Sequence, residues 1–146
     1  MWVSVEFVPI STEHAGRAYP STAPYEVTQA KISEFEAALG LSASASTPRQ
    51  APPTFGVVVT HEAWNGMFTD PELGVSLDRT IHGDQRFTYV RPLCAGDVVT
   101  AVLQIQKIAI RGTSERIGVL VSVHDQKDRL MLTAEATLFH NREAGV

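Results

Sequence analysis

Residues 52–68 read PPTFGVVVTHEAWNGMF, and the fold turns on whether this stretch is a helix or a strand. Three consecutive valines at positions 57–59 favour β structure. Against that, the run is long for one buried strand, and Pro52 and Pro53 suit the first turn of a helix, where an N–H has no intrahelical partner anyway. The stretch is therefore read as a helix starting near Pro53. Its apolar residues Phe55, Val57, Val58, Val59, Trp64, Met67 and Phe68 fall on nearly every face, which predicts a helix buried all round.

Downstream of residue 75 the apolar period becomes two. Phe87 and Tyr89 alternate, followed by Val99, Ala101, Leu103 and Ile105, then Ile117, Val119, Val121 and Val123, then Leu130, Leu132, Ala134, Ala136 and Leu138. Pro92 and Ala95-Gly96-Asp97 separate the first run from the second, while Gly112-Thr113-Ser114 and Asp125-Gln126-Lys127-Asp128 supply the later turns. This is an antiparallel meander. A helix buried all round must be covered on several sides, and a long sheet curling around it does so, placing the chain in the α+β class.

Upstream, Thr28 is placed to cap a helix, Ile32, Phe35 and Leu39 form a one-sided apolar stripe, and Gly40 ends it. Residues 11–24 mix Gly, Pro, Ser and Thr without period and read as an irregular lead-in after a possible short strand.

The 146 residues fit one domain, 1–146, large enough for a real core. A formal charge of −4 with no basic stripe argues against a nucleic-acid partner. Cys94 is the only cysteine, which excludes an intrachain disulfide and a Cys-rich metal site and suits a reducing compartment. The start MWVSVEFVPI carries Glu6 and no positive charge, so no signal peptide is expected. No run of about 18 apolar residues predicts a membrane span, and the expected location is cytoplasmic.

Three segments carry a resemblance: YEVTQAKISEFEAALG at 25–40, APPTF at 51–55, and IHGDQRFTYVRPLCAGDVV at 81–99. In this order and at these distances they resemble the MaoC-like (R)-specific enoyl-thioester hydratases and dehydratases, most closely their FAS1-like N-terminal dehydratase domain. The resemblance implies a hot-dog fold, an antiparallel sheet wrapped around a long central helix, that pairs through its sheets into a dimer or tandem double domain. It implies acyl-CoA or acyl-carrier-protein thioesters as substrates, no cofactor, and reversible hydration of a trans-2-enoyl thioester to an (R)-3-hydroxyacyl thioester.

In catalytic members the segment after the first helix reads G-D-x-N-P-x-H. The Asp and His hold and activate a water, while backbone N–H groups at the start of the central helix stabilise the thioester oxygen. Here Gly40 matches the Gly, but Leu41 stands at the Asp, Ala43 at the Asn, Ser44 at the Pro and Ser46 at the His. No shift of alignment restores the pair, because residues 37–60 contain no Asp, Glu or His. No catalytic residue is therefore assigned in this stretch.

His82 is the fallback, because its ionisation is poised near neutrality and Asp84, two residues along a strand, would share its face and raise its basicity. Its other reading is structural, or as a lining of an acyl channel. Gln85 of the same segment joins His82 as a candidate substrate contact. Thr54, Phe55 and Gly56 are candidates because Pro52 and Pro53 lack N–H groups, leaving these three as the first free donors of the central helix; equally, APPTF serves only to start that helix. His61-Glu62 begins like the zinc motif H-E-x-x-H, but Asn65 occupies the second His position and no metal site is expected. Arg79 and Arg86 are candidates for phosphates of CoA or a carrier protein, or plain solvated residues. Surface exposure accounts for His14, His124 and His140, in a lead-in, a turn and a chain end.

The resulting expectation is the substrate-binding, non-catalytic half of a heteromeric hydratase, partnered by a catalytic hot-dog chain. Two alternatives stand beside it: a self-sufficient homodimeric hydratase or thioesterase using His82 with Asp84 or Glu62, and a non-enzymatic acyl-thioester binding module.

Overall fold

The computed structural model describes residues 10–142; the possible N-terminal strand, at residues 1–9, lies outside them. Five strands form one antiparallel sheet: β1 (Tyr25–Glu26), β2 (Thr80–Tyr89), β3 (Val98–Arg111), β4 (Ser114–Asp125) and β5 (Leu130–Asn141), in the order β1-β3-β4-β5-β2. The last three strands are the meander read from the alternation, and the edge is taken by β2. The turns fall where the sequence placed them, with Gly112 (φ +59°) between β3 and β4 and Asp128 (φ +59°) between β4 and β5.

The first helix, α1 (Gln29–Ala38), is capped as expected: Thr28 accepts from the Lys31 N–H at 3.1 Å. Gly40 (φ +68°) ends it, with the Leu41 N–H reaching the Glu36 carbonyl (2.9 Å) and the Gly40 N–H the Ala37 carbonyl (3.1 Å). That paired closure satisfies the last orphan carbonyls and needs a residue tolerant of positive φ. One member of the expected stripe is displaced: Leu39 is exposed, and Glu36 is buried instead, in an ion pair with Arg49.

Residues 53–68 are helical from end to end but not one regular helix. A 3₁₀ turn (Pro53–Phe55) leads into α2 (Gly56–Thr60), a second 3₁₀ turn (His61–Trp64) and α3 (Asn65–Phe68). At the junction, the Thr60 hydroxyl donates to the Gly56 carbonyl (2.9 Å) and His61 Nδ1 to the Val58 carbonyl (2.8 Å), so side chains compete for acceptors the α-helix would use. Phe55, Val59, Ala63 and Met67, each four residues on, form the buried stripe against the sheet's inner face. Fully burying one such large side chain contributes roughly 1.5–3 kcal/mol.

The expectation of a helix buried all round is corrected by the opposite side of this run. Val57, His61, Glu62 and Asn65 are exposed, and Trp64 and Phe68 are half-buried. One five-stranded sheet covers one side of a helix, and nothing in the described residues closes the flank beside the edge strand β2. Residues 11–24 form the expected irregular strap, bonded along β3 through Gly16 N–H to Ile105 O (2.7 Å), Tyr19 N–H to Leu103 O (2.9 Å) and Thr22 N–H to Ala101 O (2.9 Å). Among the described residues no helix is long and apolar enough to cross a membrane.

Candidate functional site

The stretch 40–46, where the resemblance calls for a water-activating pair, is a loop closed on itself. The Ser44 and Ser46 hydroxyls lie 2.9 Å apart, and Ser46 Oγ accepts from the Gln50 N–H at 2.9 Å. A serine used this way has no partner to make it a base. A cleft of about 310 Å³ separates the loop from Pro52 and Pro53, and Glu36 lines it. This carboxylate sits one position outside the acid-free window and was missed. Its oxygens are engaged by the Arg49 guanidinium and the Ser44 N–H (3.4 Å), so it serves as a buried counter-ion. Its four-residue spacing from Ile32 was the available signal.

At the start of the central run, two of the three expected free donors are occupied. The Phe55 N–H closes the first 3₁₀ turn on the Pro52 carbonyl (2.9 Å), and the Gly56 N–H donates to the Tyr89 hydroxyl (3.2 Å). That hydroxyl in turn donates to the Pro53 carbonyl. Burial pushes the Tyr89 pKa up, outweighing the Gly56 N–H, so the group stays protonated and remains a donor. Gly56 permits the approach: a Cβ there would lie 2.8 Å from the Phe87 ring and 2.9 Å from Tyr89 Oη. Sequence alone showed that Pro52 and Pro53 had no N–H to offer; it did not show that a strand 33 residues away supplies the acceptor. Thr54 is exposed and Phe55 buried.

Strand β2 carries the other candidates, and a bulge decides their directions. His82 pairs with Leu138 and Asp84 with Thr137, leaving Gly83 unpaired between them. Directly opposed residues share a face, so His82, opposite buried Leu138, and Gln85, opposite buried Ala136, lie on the inner face of the sheet, His82 exposed at its open edge and Gln85 half-buried. Asp84 points to the outer face, where its Oδ1 accepts from the Thr137 N–H at 2.8 Å. The expected His82–Asp84 pair therefore does not assemble, because one extra residue inverts the alternation. Gly83 lets the exposed Phe139 ring lie against the strand, since a Cβ would sit 2.5 Å from that ring and displace it. Arg86 is exposed on the outer face with Asp84, and Arg79 ends the short turn Leu77–Arg79 before β2.

Between this inward face of β2 and the open side of the central run lies a groove of about 320 Å³. Val57, Trp64, Phe68, Leu77 and Leu138 give it apolar walls, with Thr60, His82 and Gln85 as polar points. The Trp64 indole lies 5.6 Å from the His82 ring and stacks on Phe68 at 6.4 Å, while Gln85 Nε2 donates to the Glu135 carbonyl at 2.9 Å. His61 and Glu62 are solvent-facing and 3.9 Å apart. Among the described residues no three His, Cys, Asp or Glu side chains are grouped as a metal would need.

Surface exposure fails as the explanation of all three histidines. His124 is a half-buried strand residue of β4, not part of a turn. His140 is buried: its Nε2 accepts from the Ser76 N–H (3.1 Å), so Nδ1 carries the proton and donates to buried Glu115 (2.8 Å). Arg142 joins Glu115 and also donates to the Leu73 carbonyl (2.7 Å), pinning the segment that leads into β2. Both buried groups are in phase with the inward alternation, His140 two residues beyond Leu138 and Glu115 two before Ile117. His14 is half-buried and closes a capping box, accepting from the Ser11 N–H at 3.0 Å.

The sequence profile of the FAS1-like, dehydratase domain region matches residues 13–134. The chain belongs to that family. A UPF0336 protein of Cutibacterium acnes is 42% identical over 138 residues, spanning 93% of this chain and 97% of the relative. Among solved structures, a MaoC-like dehydratase superposes with a TM-score of 0.76 at 21% identity, over 88% of this chain and 42% of that one. One chain of the HadBC (3R)-hydroxyacyl-ACP dehydratase complex of Mycobacterium tuberculosis superposes at 0.73 and 21% identity, over 86% and 96%. These likenesses establish the MaoC-like hot-dog fold for the sheet and central helix described above.

Proposed function

We propose that this chain is the acyl-binding, non-catalytic half of an (R)-specific enoyl-thioester hydratase, or 3-hydroxyacyl dehydratase, and that a second hot-dog chain supplies the Asp and His. The observation that carries this reading is the closed state of the reaction end. Leu41 and Ser46 replace the base, and the Gly56 N–H is held by Tyr89 rather than offered to a thioester oxygen.

Hydration needs a base to deprotonate water, an acid to protonate the α-carbon, and a donor for the enolate-like oxygen. Leu41 and Ser46 supply neither base nor acid, and two of the three donors at the helix start, the Phe55 and Gly56 N–H groups, are already taken. What remains is a binding function: the groove beside β2 offers apolar walls to an acyl tail, with Thr60, His82 and Gln85 as polar contacts near its path. The edge position of β2 suits addition of a partner's sheet, and Ile81 and Val90 are exposed along it. The HadBC neighbour is a complex, and the MaoC-like neighbour is a longer chain of which this one matches less than half, in keeping with paired units. The thioester carrier is CoA or an acyl-carrier protein.

The test is hydration of crotonyl-CoA by the purified chain, alone and with a hot-dog chain containing G-D-x-N-P-x-H from a neighbouring reading frame. The chain alone is expected to be inactive and to raise the partner's kcat/KM on long acyl substrates. Full activity of the chain alone overturns the proposal. The His82-dependent alternatives are less favoured by the geometry, since Asp84 lies on the other face of the sheet and Glu62 lines a different cleft, with Tyr25 and Val58.

A further inference from the structure

The groove is not a uniform trough. Its helix wall is built from Val57, Thr60, Trp64 and Phe68, successive turns of one face, and its strand wall from Gln85, His82 and Thr80, running the other way. Of the helix residues, Trp64 is the one whose ring meets a ring of the opposite wall, 5.6 Å from His82 and tilted by 49°. Phe68 backs it in a nearly parallel stack, at 6.4 Å and 19°. Gly56 lies against Phe87 and Tyr89, and Trp64 against His82, so the run and β2 are antiparallel and chain order puts Val57, Thr60 and Gln85 on one side of this crossing and Phe68 and Thr80 on the other.

We infer that Trp64 sets the length of the acyl chain this groove accepts. The inference rests on the acyl-binding reading above and adds to it a residue that decides which substrates bind. A tail entering from the Val57 end gains apolar contact until it meets the Trp64 indole. There the facing Trp64 and His82 rings stand between the tail and the far limb lined by Phe68, Leu77 and Thr80. Each methylene buried in an apolar site multiplies affinity about fourfold, so affinity should climb with chain length and then level off at the crossing. Trp64 is half-buried on an open flank rather than locked in the core, so shortening it opens the far limb lined by Phe68 and Leu77 without removing a core side chain.

The experiment is calorimetric titration of the full chain with saturated acyl-CoAs from four to sixteen carbons, for the native protein, Trp64→Ala and Trp64→Leu. The native profile should rise about fourfold per methylene and then flatten. Trp64→Ala should keep rising for several further methylenes, and Trp64→Leu, which keeps an apolar side chain and protects against loss of folding, should flatten in between. A second readout uses the emission of Trp64 itself: the sequence holds two tryptophans, and in a Trp2→Phe chain Trp64 is the sole indole. Its emission should change only with tails long enough to reach it. Failure of the native chain to bind any acyl-CoA removes the acyl-binding reading and this inference with it. Native binding with an identical length profile in both variants overturns the role of Trp64 alone.

Discussion

Replacing Tyr89 by Phe removes one oxygen and tests how the start of the central helix is closed. The ring stays, 6.3 Å from Phe87, and so does the packing over Gly56. What is lost is the side-chain acceptor of the buried Gly56 N–H at 3.2 Å, which is left with the Thr54 carbonyl, and the donor to the Pro53 carbonyl. Pro53 is exposed, so its carbonyl finds water; Gly56 is buried, so its N–H does not. A buried donor left wholly unsatisfied costs about 1–3 kcal/mol, which is the upper bound here because the Thr54 carbonyl stays within reach. For a domain of this size that upper bound corresponds to a Tm lower by about 2–12 °C. Urea denaturation at one fixed protein concentration should show a lower midpoint with unchanged slope, and hydrogen exchange at the Gly56 amide should accelerate. The variant should gain no hydratase activity, because Leu41 and Ser46 still provide no base. An unchanged midpoint together with an unchanged Gly56 exchange rate would refute the closed-end reasoning.

Two further outcomes follow from buried charge. Glu36→Ala leaves the Arg49 guanidinium enclosed without its counter-ion, and removing one partner of such a pair costs about 3–5 kcal/mol; a urea midpoint equal to that of the native chain would show the pair to be dispensable. Asp70 receives hydrogen bonds from Tyr19 (2.7 Å) and Arg17 (2.8 Å); burial acts to raise its pKa, but these donors hold it below the ordinary carboxylate value. A depressed folded pKa stabilises above the unfolded value and is lost as pH falls through the folded one. The stability gap between the native chain and Asp70→Asn should therefore be full at pH 7 and shrink below about pH 4, and a gap independent of pH would contradict it.

Most of the secondary structure was legible because it rests on local chemistry. Thr28 and Gly40 bound α1 as a cap and a left-handed stop must, and the alternation through Ile117, Val119, Val121 and Val123 marked a strand whose inward residues are all buried. The departures have local causes that one-dimensional pattern hides. A bulge at Gly83 reversed Asp84, and side-chain hydrogen bonds at Thr60 and His61 broke the regular helix. Glu36, Glu115 and His140 looked like surface residues by type but were in phase with buried neighbours. Phase was the better guide, because a charged group is carried inward by its backbone position and then paired there.

The sequence by itself determined the α+β class, the family resemblance and the absence of a water-activating pair at residues 40–46, since each depends only on which residue types stand in which order. Only the tertiary structure decided that Tyr89 closes the start of the central helix, that His82 faces Trp64 while Asp84 faces away, and that one flank of the helix stays open as a groove. Those facts depend on strand register and on where a single sheet stops wrapping its helix, and both are set by contacts between segments far apart in the chain.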